Sequence, residues 1–252
     1  MAVLERCAII ENKSLNDYAF RLTFAAEAIA ELCAPGQFVN IRCGHSRVLR
    51  RPISICHAEG GAVSVIYEVR GDGTDWLSCK EPGETLSVLG PLGNGFSLSA
   101  DKILIVGGGI GAPPLLYAAR QAKTGATAVL GFREAERVIL ADEFSELCDK
   151  TYITTDDGSL GIKGNVTGSV EECLIAGGYS QVLACGPRVM LKAVSELCSK
   201  YNVPCQVSVE ERMGCGVGAC LVCACRTVED GTEKMRRVCK DGPVFDSAKV
   251  VW

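Results

Sequence analysis

The sequence predicts a multidomain β plus α/β chain: an antiparallel β-barrel, then a parallel-sheet α/β unit, then a small cysteine-rich tail. Three observations carry this. Short apolar or alternating runs separated by turn formers fill the first hundred residues. Strand and helix patterns then alternate in strict order. The last forty residues concentrate glycine and cysteine. The expected boundaries are 1–98, 99–209 and 210–252.

In the first part, the strand candidates are residues 7–10, 19–24, 38–42, 63–69 and 85–89, and the run from Arg50 to Ser54 adds an irregular one. Pro35-Gly36, Gly60-Gly61, Pro82-Gly83 and Gly93-Asn94-Gly95 punctuate them. Many strands at short spacing point to a small barrel. Trp76-Leu77, beside Gly73-Thr74, begins the one helical segment expected there.

From Lys102 the period changes. Expected strands cover 103–106, 126–132, 152–155, 181–185 and 205–209, and expected helices cover 112–123, 141–148, 166–174 and 189–200. This alternation means a parallel sheet with helices on both faces. From Glu210 the tail carries a hairpin pattern around Gly231.

Composition bounds the function. The chain has 252 residues, 48% hydrophobic and 22% charged, with a net charge of -4. Without a basic run, nucleic acid is not an expected partner. The longest uncharged run, 103–119, is broken by Gly107-Gly108-Gly109 and Pro113-Pro114, so no membrane span is expected. Fifteen cysteines, an odd number, without a signal-peptide pattern and mostly within apolar segments, fit reduced thiols and a cytoplasmic protein.

The tail is the most specific stretch. Cys215, Cys220 and Cys223 have the spacing C-x4-C-x2-C, and Cys239 offers a fourth thiolate, the plant-type arrangement for a [2Fe–2S] cluster. Gly214, Gly216 and Gly218 free the loop to turn backbone N–H groups toward sulfur. Structural zinc sites usually pair cysteines in two close knuckles instead. Cys225, two residues past Cys223, points the other way on a strand and is left out of the ligand set.

Gly107-Gly108-Gly109-Ile110-Gly111 lies between a strand and a helix, where glycines permit close approach and a helix N-terminus offers N–H groups to phosphate. A bare strand–helix turn is the alternative. Cys185-Gly186-Pro187 ends another strand, at the edge where open α/β sheets bind ligands. In the barrel, Arg50-Arg51-Pro52-Ile53-Ser54 places two guanidiniums in apolar surroundings that want an anion. Pro52 requires an edge or irregular strand. Gly71-Asp72-Gly73-Thr74 is a second phosphate-type nest or a plain turn. His45 and His57, the two histidines, have no triad-like neighbours and suit surface or loop roles.

Taken in order, Arg51-Pro52-Ile53-Ser54, Ile66-Tyr67-Glu68, Gly73-Thr74, residues 90–95, the Gly107 loop, Cys185-Gly186-Pro187 and the cysteine motif resemble the electron-transfer subunits of B-type dihydroorotate dehydrogenases. These belong to the ferredoxin-NADP reductase-like superfamily, and the resemblance spans nearly the whole chain. It implies an FAD-binding barrel, with Arg51 on the pyrophosphate, Ser54 near the isoalloxazine, Ile66, Tyr67 and Glu68 along the flavin, and Gly73-Thr74 on phosphate. Glu68 is an acid where some relatives would carry a base. The resemblance further implies a Rossmann-like NAD domain with Cys185 and Gly186 beside the nicotinamide, and an FMN-containing catalytic partner that oxidises dihydroorotate for pyrimidine biosynthesis. It implies a heterotetramer.

For the choice of dinucleotide, Glu134 stands near the position of a ribose-binding acid. Arg133 suits a 2′-phosphate, and Thr155-Asp156-Asp157-Gly158 adds acids that would repel one. NAD is expected. Two alternatives remain. One is the same architecture serving a sulfur reductase, hydrogenase or bifurcating ferredoxin-NADP reductase. The other is a zinc-binding sensor module without turnover.

Overall fold

In the computed structural model, which describes residues 2–44, 48–98 and 101–252, the first part closes into a barrel. His45 lies outside the described residues. The strands are β1 (Val3–Ser14), β2 (Ala19–Ala25), β3 (Phe38–Arg42), β4 (Arg51–Glu59), β5 (Ala62–Glu68) and β6 (Thr85–Leu92), in the order β1-β2-β5-β4-β3-β6. Leu22, Phe24, Val39, Ile41, Val63, Val65 and Val88 fill the interior at every second position, as strand pleating dictates. Closure removes the free strand edges that invite aggregation.

Strand β4 explains its proline. Residues 51–54 pair with β3 alone, and residues 55–59 pair with β5 alone. Pro52 therefore sits where one side of the strand has no partner and a missing N–H costs nothing. Two short helices occur where one was expected. These are α1 (Glu27–Leu32) and α2 (Asp72–Ser78). Six residues give α1 too few turns to show a period, and it is anchored by the fully buried Ile29.

The α/β part runs β7 (Ile103–Gly108), α3 (Ala112–Gln121), β8 (Ala126–Phe132), α4 (Ala141–Leu147), β9 (Lys150–Thr155), β10 (Ile162–Lys163), α5 (Val166–Ala176), β11 (Gln181–Cys185), α6 (Arg188–Lys200) and β12 (Cys205–Ser208). The tail follows with β13 (Ala224–Glu229), β14 (Thr232–Arg237), α7 (Val238–Asp241) and β15 (Val244–Asp246). The sheet order is β10-β9-β8-β7-β11-β12-β15. The first six strands are parallel. The seventh, β15, is antiparallel and comes from the tail, so the tail covers the exposed edge of β12 instead of hanging free. Asp230-Gly231, both at positive φ (52° and 73°), form the tight turn between β13 and β14.

Helix α3 binds the barrel to the sheet. Ala112 through Ala119 are all buried, because one face packs on the sheet and the other on the barrel. Its residues share a core with Ala19, Cys56 and Ile66 of the barrel, while Tyr117 joins the barrel's own cluster. Arg21–Glu143 at 2.5 Å and the Arg137 guanidinium 3.6 Å from the Tyr18 ring centre tie the two parts together at their rim. Among the described residues no helix is long and apolar enough to cross a membrane.

Candidate functional site

The cysteine loop is built as its glycines require. Cys215, Cys220 and Cys223 lie on the loop before β13, and Cys239 lies on α7. The thiols associate as two pairs, Cys215 with Cys220 and Cys223 with Cys239. Backbone N–H groups turn inward on them. Cys215 donates to Cys220 Sγ (3.4 Å), Val217 and Ala219 to Cys215 Sγ (3.4 and 3.2 Å), Gly218 to Cys239 Sγ (3.1 Å) and Cys239 to Cys223 Sγ (3.4 Å). Burial would raise the Cys215 pKa, but the N–H groups of Val217, Cys220 and Ala219 and the Cys220 thiol outweigh it and lower the value to about 6. Cys239 is pushed up to about 12, first by burial and then by its Cys223 neighbour.

A tetrahedral zinc gathers four ligands round one centre, whereas a two-iron cluster divides four thiolates between two irons. Two thiol pairs wrapped in N–H donors fit the second. Cys225, also buried, lies on β13 in the core and makes no bond to these thiols among those described.

Two barrel asparagines that sequence reasoning missed seat this segment. Asn40 Nδ2 donates to the Cys215 carbonyl (3.4 Å). Asn94 Nδ2 donates to the carbonyls of Lys240 (3.4 Å) and Asp241 (3.0 Å), just past Cys239. A polar residue between Gly93 and Gly95 was the readable signal for Asn94. Asn40 had none, because its neighbours are ordinary strand residues.

Asn40 pairs in register with Pro52, which places the cysteine loop beside the Arg51–Ser54 stretch. The Arg51 guanidinium lies against Gly73, where an added Cβ would stand 2.3 Å from Nε. A guanidinium over a bare Cα, at the first turn of α2, is a cradle suited to a pyrophosphate. Ser54 is half-buried opposite Phe38.

The other residues expected along the flavin differ in what they present. Ile53 and Tyr67 point into the barrel core, and the Tyr67 hydroxyl bonds Asn12 Oδ1 at 3.3 Å. Ile66 faces the core shared with the α/β part. A group outside the barrel would meet backbone there, because the strand alternates its faces. The Thr74 hydroxyl closes its own turn, accepting from Arg70 N–H (2.9 Å) and Gly71 N–H (3.3 Å). Glu68 accepts from Arg70 Nε at 2.7 Å, so the acid arrives neutralised.

Between barrel and sheet lies a cleft of about 630 Å³, the size of a cofactor site. It opens at the carboxyl ends of β7 and β11. The strand order reverses there, with β8 to β10 built to one side and β11 and β12 to the other, the place where open α/β sheets bind ligands. Gly107, next to last in β7, is buried, and Gly108, Gly109 and Gly111 line the cleft with Gly186 and Pro187. The two segments touch by backbone. A Cβ on Gly111 would stand 2.4 Å from the Cys185 carbonyl oxygen, and one on Gly186 would stand 3.0 Å from Gly108 Cα. Cys185 is itself buried. Only glycine permits this flat nest, and it fits a dinucleotide.

Of the acids weighed for ribose binding, Glu134 is tied to Arg137 Nε at 3.0 Å. Asp157 is bonded by Ser159 N–H (3.0 Å) and Oγ (2.6 Å). Asp156 and Arg133 line the cleft instead. So does Glu210, another residue the sequence did not single out. It reaches solvent at the mouth, yet the cleft walls desolvate it and raise its pKa, Arg70 opposing and Glu68 adding. His57 is no loop residue. It sits half-buried on β4, its Nε2 3.3 Å from Glu59 and its ring edge-on to Tyr117.

This geometry has known counterparts. A family profile described as the iron–sulfur cluster binding domain of dihydroorotate dehydrogenase B matches residues 210–251. The dihydroorotate dehydrogenase B (NAD(+)) electron transfer subunit of Geobacillus sp. (strain WCH70) is 43% identical, with 98% of each chain covered. The subunit of the same name from Caldanaerobacter subterraneus subsp. tengcongensis is 41% identical, again over 98% of each chain. Among solved structures, an NADH-dependent reduced ferredoxin-NADP oxidoreductase, described for flavin-based electron bifurcation, superimposes with a TM-score of 0.87 at 32% identity, covering 98% of this chain and 90% of that one. A barrel, a nucleotide cleft and a two-pair cysteine loop in one order, with identity above 40% over nearly the full length, place the chain in the family of dihydroorotate dehydrogenase B electron transfer subunits.

Proposed function

We propose that this chain is the cytoplasmic subunit that passes electrons from an FMN-containing, dihydroorotate-oxidising catalytic partner to NAD+, in a heterotetramer with two copies of each subunit. We assign three working units: 1–98 for FAD, 99–209 for NAD and 210–252 for the [2Fe–2S] cluster. The observation that carries this reading is the seating of the cysteine loop on β3 through Asn40, one strand from Arg51. When bound, the three cofactors supply an exchange between one-electron and two-electron chemistry.

The chain's own residues do the rest. Cys215, Cys220, Cys223 and Cys239 would hold the cluster, and the inward N–H groups stabilise negative sulfur. Arg51 and the backbone at Gly73 would hold the FAD pyrophosphate, with the β4 backbone from Pro52 to Ser54 and the Ile66–Glu68 strand end beside the ring. Gly107 to Gly111 and Cys185-Gly186-Pro187 would take the dinucleotide, the glycines admitting it close to the backbone. The cleft between barrel and sheet would hold the dinucleotide between the two parts.

The experiment is co-purification with the native partner, followed by an assay of dihydroorotate-dependent NAD+ reduction. Coupled reduction is expected, and its absence with both subunits loaded would refute the partner assignment. One observation favours a second reading: the bifurcating oxidoreductase chain has the same architecture over 98% of this one. Reduction of NADP+ by a ferredoxin-linked partner, without dihydroorotate coupling, would select it.

A further inference from the structure

We propose that Asn40 is a positioning residue that fixes the cysteine loop against the flavin side of the barrel and so sets the environment and reach of the cluster. The inference rests on the function proposed above. Asn40 is 1% exposed, and its Nδ2 is the donor to the carbonyl of Cys215, the first cysteine of the motif. Its backbone stands opposite Pro52, next to Arg51. One residue thus spans from a cluster ligand to the strand that would carry FAD.

The surroundings lock it in place. The Asn40 carbonyl accepts from Arg50 Nη1 at 3.2 Å, and Arg50 is held in turn by the Ser87 carbonyl (2.8 Å) and Oγ (3.0 Å) on β6. The loop is shaped to the amide. Gly216 has φ +73°, and a Cβ there would stand 2.4 Å from Asn40 Nδ2. The far end of the amide tells the same story. Asn40 Oδ1 is buried without a hydrogen-bond partner among the described residues. A leucine would fill the same volume and leave no acceptor stranded, so the donor to the Cys215 carbonyl is the interaction that accounts for a polar residue here. Asn94 secures the other end of the segment, Arg237 of the tail itself bonds the Gly218 carbonyl, and among the described hydrogen bonds Asn40 is the barrel residue that reaches the loop at Cys215.

The test uses the loaded full-length protein. Asn40→Leu keeps the volume and removes the donor. Asn40→Asp keeps the shape and turns an acceptor toward the carbonyl. The measurements are FAD and iron content, the EPR spectrum and reduction potential of the reduced cluster, and stopped-flow bleaching of flavin and cluster bands after mixing with NADH. The expected result is retained FAD, a shifted EPR signal and potential, and cluster bleaching slowed roughly tenfold or more relative to flavin bleaching. A residue with only a fold-supporting role would lower protein yield and leave these signatures unmoved. If Asn40→Leu does not fold, Asn40→Asp carries the comparison. Wild-type spectra and rates in the folded variants overturn the proposal. A wild-type protein without cluster bands defeats the underlying function instead.

Discussion

Replacing Gly111 with alanine tests the nucleotide cleft most sharply. The new Cβ would stand 2.4 Å from the Cys185 carbonyl oxygen, 2.6 Å from its carbon and 2.7 Å from Gly186 N. All three are backbone atoms and cannot rotate away. To reach even 3.0 Å, the floor below which real Cβ contacts essentially never fall, the two segments must part by about 0.6 Å. Gly111 lies just before α3, which is buried between sheet and barrel, so the displacement cannot be absorbed by solvent. Overpacking of this kind costs about 1–3 kcal/mol, equivalent to roughly 5- to 150-fold in an equilibrium. The strain falls on the nest that would meet the dinucleotide, so the loss should appear in NADH affinity and in the hydride rate, and iron and FAD content should hold. Stopped-flow bleaching of the flavin band across NADH concentrations reads both. Bleaching within twofold of wild type at every concentration would show that the Gly111–Cys185 contact does not shape the site.

Cys220→Ala should abolish the broad visible bands and most of the iron, whereas Cys225→Ala should keep both and cost about 1 kcal/mol of stability. Equal iron loss in the two variants would redraw the ligand set. NADH should bleach the flavin much faster than NADPH, because the Asp156 carboxylate in the cleft repels a 2′-phosphate, and Asp156→Asn should narrow the gap. Equal rates in wild type would remove that role. On the hairpin, hydrogen bonds from Arg236, then Lys234, hold Glu229 down from 4.5 to about 2. A depressed carboxylate stabilises above its unfolded pKa, and the contribution is lost as pH falls from 4.5 toward about 2. The Tm advantage of wild type over Glu229→Gln should therefore shrink with acidification and with salt. A pH-independent difference would mean that the ion pairs contribute nothing.

How much of this was legible in advance differs by element. Each long strand and helix of the α/β part announced itself, because apolar periods of two and 3.6 persist over several turns. The cysteine motif was equally readable, since cluster chemistry fixes both ligand type and spacing. Helix α1 and strand β15 were not. Six and three residues carry too little periodicity, and β15 forms only because the β12 edge is there to receive it. Side-chain direction was hidden as well. Tyr67 and Ile53 lie in stretches expected to meet a flavin, yet barrel closure turns their side chains inward, while Asp156 reaches the cleft that Glu134 does not.

The chain alone therefore determined the order of its parts, the spacing of its thiols and the glycine turn between strand and helix, because these depend on local residue type and spacing. The three-dimensional arrangement alone decided that the thiols divide into pairs, that Asn40 and Asn94 seat the segment on the barrel, and which acids line the cleft. Those facts join residues far apart in sequence, up to 175 positions for Asn40 and Cys215, and only packing brings such residues together.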